Sequence, residues 1–201
     1  MANKKFAFGC LGVIVLAIII MALSAAGTYN SLVRLDQNVQ AQWGQVENDY
    51  QRRADLIPNL VETVKGAADF EKSTFTAVTE ARAKVGQVQV SADKLNPDAF
   101  AKFQTAQDGL SSALSRLLVV MEKYPDLKAT ENFRALQAQL EGTENRIAVA
   151  RMRFNEAAQA FNTKRMSFPT VLIAGLFGSR FNEKPYFKSQ PGSETAPKVK
   201  F

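Results

Sequence analysis

Between Lys5 and Arg34 the chain carries no charged side chain, and LGVIVLAIIIMAL, residues 11–23, is almost continuously aliphatic. Such a run suits the roughly 20 apolar residues that cross a bilayer as a helix, since hydrocarbon offers backbone polar groups no partner outside the helix itself. Residues 6–27 therefore read as a transmembrane helix. A cleaved signal peptide is the rival: Lys4 and Lys5 supply its basic start, and Ser24, Ala25 and Ala26 its small residues. The apolar run is longer than the roughly 7 to 15 residues usual in such peptides, which favours the uncleaved anchor. Cys10 has too short a lead to be a lipidation site. Lys4 and Lys5 before the helix, against Arg34 after it, favour a cytoplasmic N-terminus and a domain outside the cytoplasm.

The net charge of +6 over 201 residues raises the question of nucleic acid. Its distribution answers it: residues 1–27 hold +2 and residues 180–201 hold +3, leaving +1 on residues 28–179. A near-neutral central region lacks the basic face that phosphate backbones require, so no nucleic-acid partner is expected. The basic C-terminal stretch fits anionic lipid better. A single Cys in the apolar segment excludes an intramolecular disulfide and leaves the redox compartment open.

Beyond the span, apolar positions recur at alternating steps of three and four, as in helices packed along a seam. The clearest run is Phe133, Leu136, Leu140, Thr143, Ile147, Ala150, Phe154, Ala157 and Phe161. A second is Phe103, Gln107, Leu110, Leu114, Leu117 and Met121, opened by Asn96 as a cap and Pro97 at the first helical position. A third is Val61, Val64, Ala68, Glu71, Phe75, Val78, Arg82 and Val85, and a fourth is Leu32, Leu35, Val39, Trp43, Val46 and Tyr50. The spacing predicts helices over 28–53, 58–86, 97–122 and 126–166, the first continuing the span.

Pro58 decides how they connect. One helix from 28 to 86 would be about 88 Å long and short of partners, so a break at RRADLIPN, with Pro58 opening the second helix, is preferred to a kink. The fold class is then all-α: an N-terminal transmembrane helix continuing into an antiparallel up-down four-helix bundle. The chain divides into an anchor (1–27), an antiparallel helical bundle (28–166), a membrane-proximal apolar segment (167–187) and a disordered basic tail (188–201). The turns at RRADLIPN and KYPDLKA share the membrane-distal tip, where Arg52, Arg53, Asp55, Asn59, Tyr124 and Asp126 converge on a candidate partner site, unless they only cap and lace the turns. At the opposite end, Pro169 stops the fourth helix and SFPTVLIAGLFGSRF, residues 167–181, is too short to span. Phe168, Leu172, Ile173, Leu176 and Phe177 are its candidate membrane contacts, with Arg180 at headgroup level; packing on the bundle base or on another subunit is the alternative.

Catalytic inventory is thin. The chain has no His, which removes the commonest general base and metal ligand. Zinc sites built on Cys and His and di-iron sites built on Glu-x-x-His are thereby excluded, and no glycine-rich phosphate loop occurs. No catalytic residue, cofactor or metal is expected, and the chain is not read as an enzyme. Glu71 and Arg82 interrupt the seam as register locks or as exposed residues of a drifting stripe. Phe154-Asn155 and Phe161-Asn162, seven apart, set two asparagines along one edge, to hydrogen-bond neighbouring helices or a partner's backbone.

The order of motifs, an N-terminal span, YNSLV, AQWGQVENDYQRRADLIPNLVETVKG, then YPDLKATENFRALQAQLEGTENRIAVARMRFNEAAQAFN and FP, closely resembles the bacterial LemA family over residues 6–187. The departures are Ala54 where an aromatic is common, and Phe154 and Phe161 where Tyr is common. The resemblance implies a single-pass protein of the bacterial cytoplasmic membrane with an antiparallel helical bundle and no established enzymatic activity; some related proteins are linked to magnetosome membrane formation. The expected function is a membrane-anchored scaffold that self-assembles in the bilayer plane as a homo-oligomer, contacts lipid and organises or remodels the membrane. The alternative is an adaptor whose distal tip recruits another envelope protein. Ala22 and Ala26, four apart, would let spans approach closely.

Overall fold

A computed structural model describes residues 2–65, 72–88, 90–92 and 95–188, with side chains for all of these except 2–11 and 72. The described residues are helical apart from short connections and an extended C-terminal segment. Helix α1 runs Ala2–Lys65, 64 residues without interruption, and is followed by α2 (Lys72–Gln87), α3 (Pro97–Met121), the single turn α4 (Pro125–Lys128), α5 (Glu131–Met166) and the short α6 (Thr170–Leu176). The architecture is a long N-terminal apolar helix leading into a helical bundle.

The seams are where the spacing put them. Leu32, Val39, Trp43, Val46 and Tyr50 of α1 are buried, as are all six predicted positions of α3 and eight of the nine predicted on α5, Leu136 being half-buried. Asn96 caps α3 by accepting from the Asp98 N–H at 2.8 Å, with Pro97 at the first helical position. The fourth predicted helix starts later than expected: Thr130 is its cap, accepting from the Phe133 N–H at 3.4 Å, and α4 stands apart before it.

The predicted break at Pro58 is not there. Proline in a helix interior removes one hydrogen bond, leaving the carbonyl four residues back without its donor. Here that carbonyl belongs to Ala54, and Arg82 Nε of α2 donates to it at 3.0 Å. With the orphaned acceptor satisfied and the pyrrolidine ring exposed, α1 continues through Ile57, Leu60, Val61 and Val64, which are buried against α3 and α5. Val61 and Val64, assigned to the second helix by their spacing, therefore belong to the first. Arg82 sits on the exposed side of α2 as a donor to a backbone rather than as a seam lock; Ala68 and Glu71 lie outside the described residues.

Four similar helices are consequently replaced by one long pair and one short pair. Pairings along α1 and α5 run in opposite order, Arg53 with Glu144, Asp49 with Arg146 and Trp43 with Phe154, so the two are antiparallel. The α2–α3 hairpin lies across them, and its connecting segment packs back on α1, where Trp43 Nε1 donates to the Val90 carbonyl at 3.2 Å. Two apolar clusters fill the interior. One, nearer the apolar helix, is built on Trp43, Phe100, Phe154 and Phe161; the other, nearer the end of α1, is built on Leu60, Val64, Leu117, Met121 and Phe133.

Candidate functional site

The end of α5 builds the membrane-proximal site. Ser167 terminates the helix, its N–H donating to Thr163 O at 3.1 Å and its hydroxyl to Lys164 O at 2.8 Å, and a cis Phe168–Pro169 peptide leads into α6. Thr170 and Ala174, one turn apart, are the buried face of α6, while Leu176 and Phe168 are more than four-fifths exposed and Leu172 is 61% exposed. Val171 and Phe177 are nearly half exposed and Ile173 is half-buried. In a water-soluble helix the large aliphatic side chains face in and the small or polar ones face out. Here the faces are reversed, and a continuous apolar surface is presented outward.

That surface lies at the foot of the apolar segment of α1. The Tyr29 ring packs on Phe177 at 4.7 Å and on Phe181 at 5.6 Å between centroids, and the Arg180 guanidinium stands 5.7 Å from the Tyr29 ring centre. Gly178, at φ +53, makes the turn between Phe177 and Phe181 that a side chain would strain. Val13 to Leu23 of α1 are exposed, with a mean hydropathy of 2.2 over the window that begins at Gly12. The long apolar helix marks the chain as membrane-associated.

A strap unforeseen in the sequence ties this region to the bundle. Residues 182–188 run extended along α5, and carboxamides read their backbone in both directions. Asn162 donates to the Lys184 carbonyl and accepts from its N–H, each at 2.9 Å, and Asn155 does the same with Phe187 at 3.0 and 2.9 Å. Gln104 of α3 repeats the pairing with Lys188 at 2.9 and 3.4 Å. Phe187 fills a box of Trp43, Phe100 and Phe154 beneath the Arg151 guanidinium, and Lys184 Nζ meets Asp36 Oδ1 at 2.6 Å in a largely buried ion pair. Arg165 Nε donates to the Phe181 carbonyl at 2.5 Å. The asparagines seven apart thus bind a backbone, and the backbone is the chain's own. Lys188, expected to begin a disordered tail, is held; residues 189–201 lie outside the described residues.

The proposed distal site does not assemble. Because α1 runs on to Lys65, Arg52, Arg53 and Asp55 lie about 15 to 20 Å short of its end. Arg53 is buried in the bundle: it donates to Ser111 Oγ at 2.6 Å, Glu144 Oε1 at 3.0 Å, the Gln107 carbonyl at 3.3 Å and the Gln107 side-chain oxygen. Ser111 is about 15 Å along α3 from Met121, whereas Tyr124 is three residues beyond Met121, half-buried, with its N–H donating to the Met121 carbonyl at 3.0 Å. Arg52 is exposed, Asp55 accepts from Gln51 Nε2 at 2.8 Å, and the exposed Asn59 gives its carbonyl to the Thr63 hydroxyl. Asp126 is exposed on α4. Tyr124 and Asp126 mark the tip; Arg53 is part of the core.

A third feature is a cleft of about 650 Å³ between α1, α2 and α3, lined by Glu47, Tyr50, Arg82 and Gln107 among others. Burial pushes the Glu47 carboxyl above its ordinary pKa, partly offset by a hydrogen bond from Trp43, and burial likewise raises Tyr50, partly offset by Arg151 and Arg53. Among the described residues lining the cleft, Arg82 is the one cation, and its Nε already serves the Ala54 carbonyl. Among the described residues no group of three or more acidic or thiol side chains surrounds a common point where a metal could sit.

Magnetosome protein MamQ 2 of Paramagnetospirillum magneticum is 27% identical over 202 residues, covering 90% of this chain and 72% of its own length. Magnetosome protein MamQ of Magnetospirillum gryphiswaldense is 26% identical over 202 residues, covering 92% and 74%. Protein LemA of Metamycoplasma hominis is 26% identical over 148 residues, covering 74% of this chain and 64% of its own length. A LemA family profile matches residues 42–201, which takes in the bundle from Trp43 and the strap: the chain belongs to the LemA family.

Proposed function

We propose that the protein is a non-enzymatic, single-pass scaffold of the bacterial cytoplasmic membrane, its bundle held upright by two lipid contacts and assembling with copies of itself in the bilayer plane. The observation that carries this reading is the reversed amphipathicity of α6. Large apolar side chains at Phe168, Leu172 and Leu176 stay exposed beside the apolar segment of α1, a placement that costs nothing if lipid covers them. The bundle sides support lateral assembly. Val149 and Met152 are exposed on the outer face of α5, and an open groove of about 820 Å³ between α2 and α3 combines small residues such as Ala77, Ala81, Ala101 and Gly109, which let another helix approach, with Glu80, Lys84, Lys102 and Arg116. Kinship with proteins named for the magnetosome is in keeping with a role in membrane organisation. The bundle lies outside the cytoplasm in this reading, since Lys4 and Lys5 precede the span.

The test is subunit number of the full chain in lipid nanodiscs across protein concentrations, by native mass spectrometry and by cross-linking. Oligomers that persist on dilution are expected; a monomer at every concentration in both detergent and lipid would refute self-assembly. The lipid contact is tested separately with Leu172→Ser/Leu176→Ser, which leaves Thr170 and Ala174 in place. This variant should keep its helical content and lose vesicle deformation.

A further inference from the structure

A cleft of about 750 Å³ opens between Leu95–Pro97 at the start of α3 and the turn from Ser179 to Lys184, with Arg165 in its wall. Its charges are unequally committed. Lys184 is neutralised by Asp36, whereas neither Arg165 nor Arg180 forms an ion pair among the described residues. Arg165 is anchored by one nitrogen on the Phe181 carbonyl, and Arg180 is steadied between the rings of Tyr29 and Phe181, at 5.7 and 5.8 Å. Both guanidiniums therefore keep donors in hand while their positions are fixed.

Depth gives those donors a meaning. Tyr29 lies about 3 Å of helical rise beyond Gly27, the end of the apolar stretch, and the headgroup layer on each side of the hydrocarbon is about 5 to 8 Å thick. With the apolar stretch of α1 in the hydrocarbon, as the proposed function has it, Arg180, packed on Tyr29, stands at phosphate level. The surroundings agree in sign: between Thr163 and Lys188 there are five basic residues and one acidic, while the distal run from Glu122 to Glu131 has two basic and three acidic. Guanidinium pairs with phosphate bidentately, and the Ser179 hydroxyl and Asn182 amide, both lining the cleft, can donate to the remaining oxygens.

We propose that this cleft binds the phosphate of an anionic phospholipid headgroup, Arg165 and Arg180 holding its oxygens and Glu183, in the same lining, moderating the affinity. The proposal rests on the reading that α6 lies at the bilayer, and it adds a preference for lipid charge that a purely apolar contact would lack. A free phosphate offers the same chemistry, so the experiment separates the two sources.

The full chain is placed in nanodiscs of phosphatidylglycerol and phosphatidylcholine in equal amounts and released into detergent. Co-purifying lipid and subunit number are then read together by native mass spectrometry. Retained lipid should be enriched in phosphatidylglycerol roughly thirtyfold, as expected for two basic side chains near the surface. Arg180→Gln should return the ratio most of the way to that of the disc, and Glu183→Gln should raise it; both residues are exposed, so helical content should be unchanged. Equal retention of the two lipids, or enrichment indifferent to both substitutions, would overturn the site. Enrichment that survives excess inorganic phosphate supports a lipid ligand, whereas complete displacement by phosphate would assign the cleft to a free anion instead. Enrichment in a chain that stays monomeric would defeat the scaffold alone, and oligomers without enrichment would defeat the headgroup site alone.

Discussion

Arg53 shows how one residue changes meaning when its surroundings are known. In the sequence it stands in RRAD before a proline and reads as turn charge; in the fold it is 1% exposed with acceptors on α3 and α5. The seam of α1, carried three residues on from Tyr50, reaches Arg53 and passes exposed Arg52 by, but the acceptors that make a buried guanidinium tolerable lie more than fifty residues away. Arg53→Ala leaves a cavity and strips Gln107 and Ser111 of their donor, so it should destabilise the bundle by about 3 kcal/mol. Glu144→Ala removes only a half-exposed carboxylate from a guanidinium that keeps its other acceptors, and should cost about 1 kcal/mol. Thermal unfolding in detergent checks the order; equal losses would mean that the ion pair, not the network, matters. Glu47 gives the pH-dependent case. Its raised folded pKa means that the ionised form is disfavoured by folding, so the penalty is present above that pKa and disappears as pH falls below the ordinary glutamate range. Glu47→Gln should raise the melting temperature at neutral pH and match the natural sequence in acid.

At the scale of elements, what was legible is what repeats. Seams on α1, α3 and α5 follow from spacing alone, since burial of one helix face is a local pattern. The course of α1 through Pro58 was not legible, because the cost of a proline depends on whether something else satisfies the freed carbonyl. That makes a coupling testable. Arg82→Ala should cost about 1 kcal/mol in the natural sequence, where Ala54 O loses the Arg82 donor, and nearly nothing after Pro58→Ala restores the helical hydrogen bond. Additive effects in the double mutant would remove Arg82 from the explanation. Of the strap only one side was legible: Asn155 and Asn162 were expected to hydrogen-bond neighbouring helices or a partner's backbone, but an extended segment of the same chain carries no periodicity to reveal itself. Phe187→Ala should cost about 3 kcal/mol by emptying its aromatic box, and should speed amide exchange at Lys184 and Lys188 by hydrogen-exchange mass spectrometry.

For the whole molecule, the exposure of large apolar side chains near the base was readable because 167–181 is apolar where a bundle should be ending, whereas the predicted tip cluster depended on a break at Pro58 that the fold does not make. The long helix has a mechanical consequence. The apolar segment and the bundle share one backbone from Ala2 to Lys65 with no interruption between them, so that, with the apolar segment in the bilayer as proposed, the part beyond Gly27 projects as a strut about 57 Å long. A span that answers a thinner bilayer by leaning about 10° further would carry the far end of that strut sideways by about 10 Å. In the assembly proposed above, local lipid thickness would then be written into the spacing of neighbouring bundles, and the protein would behave as a gauge of the sheet it stands on.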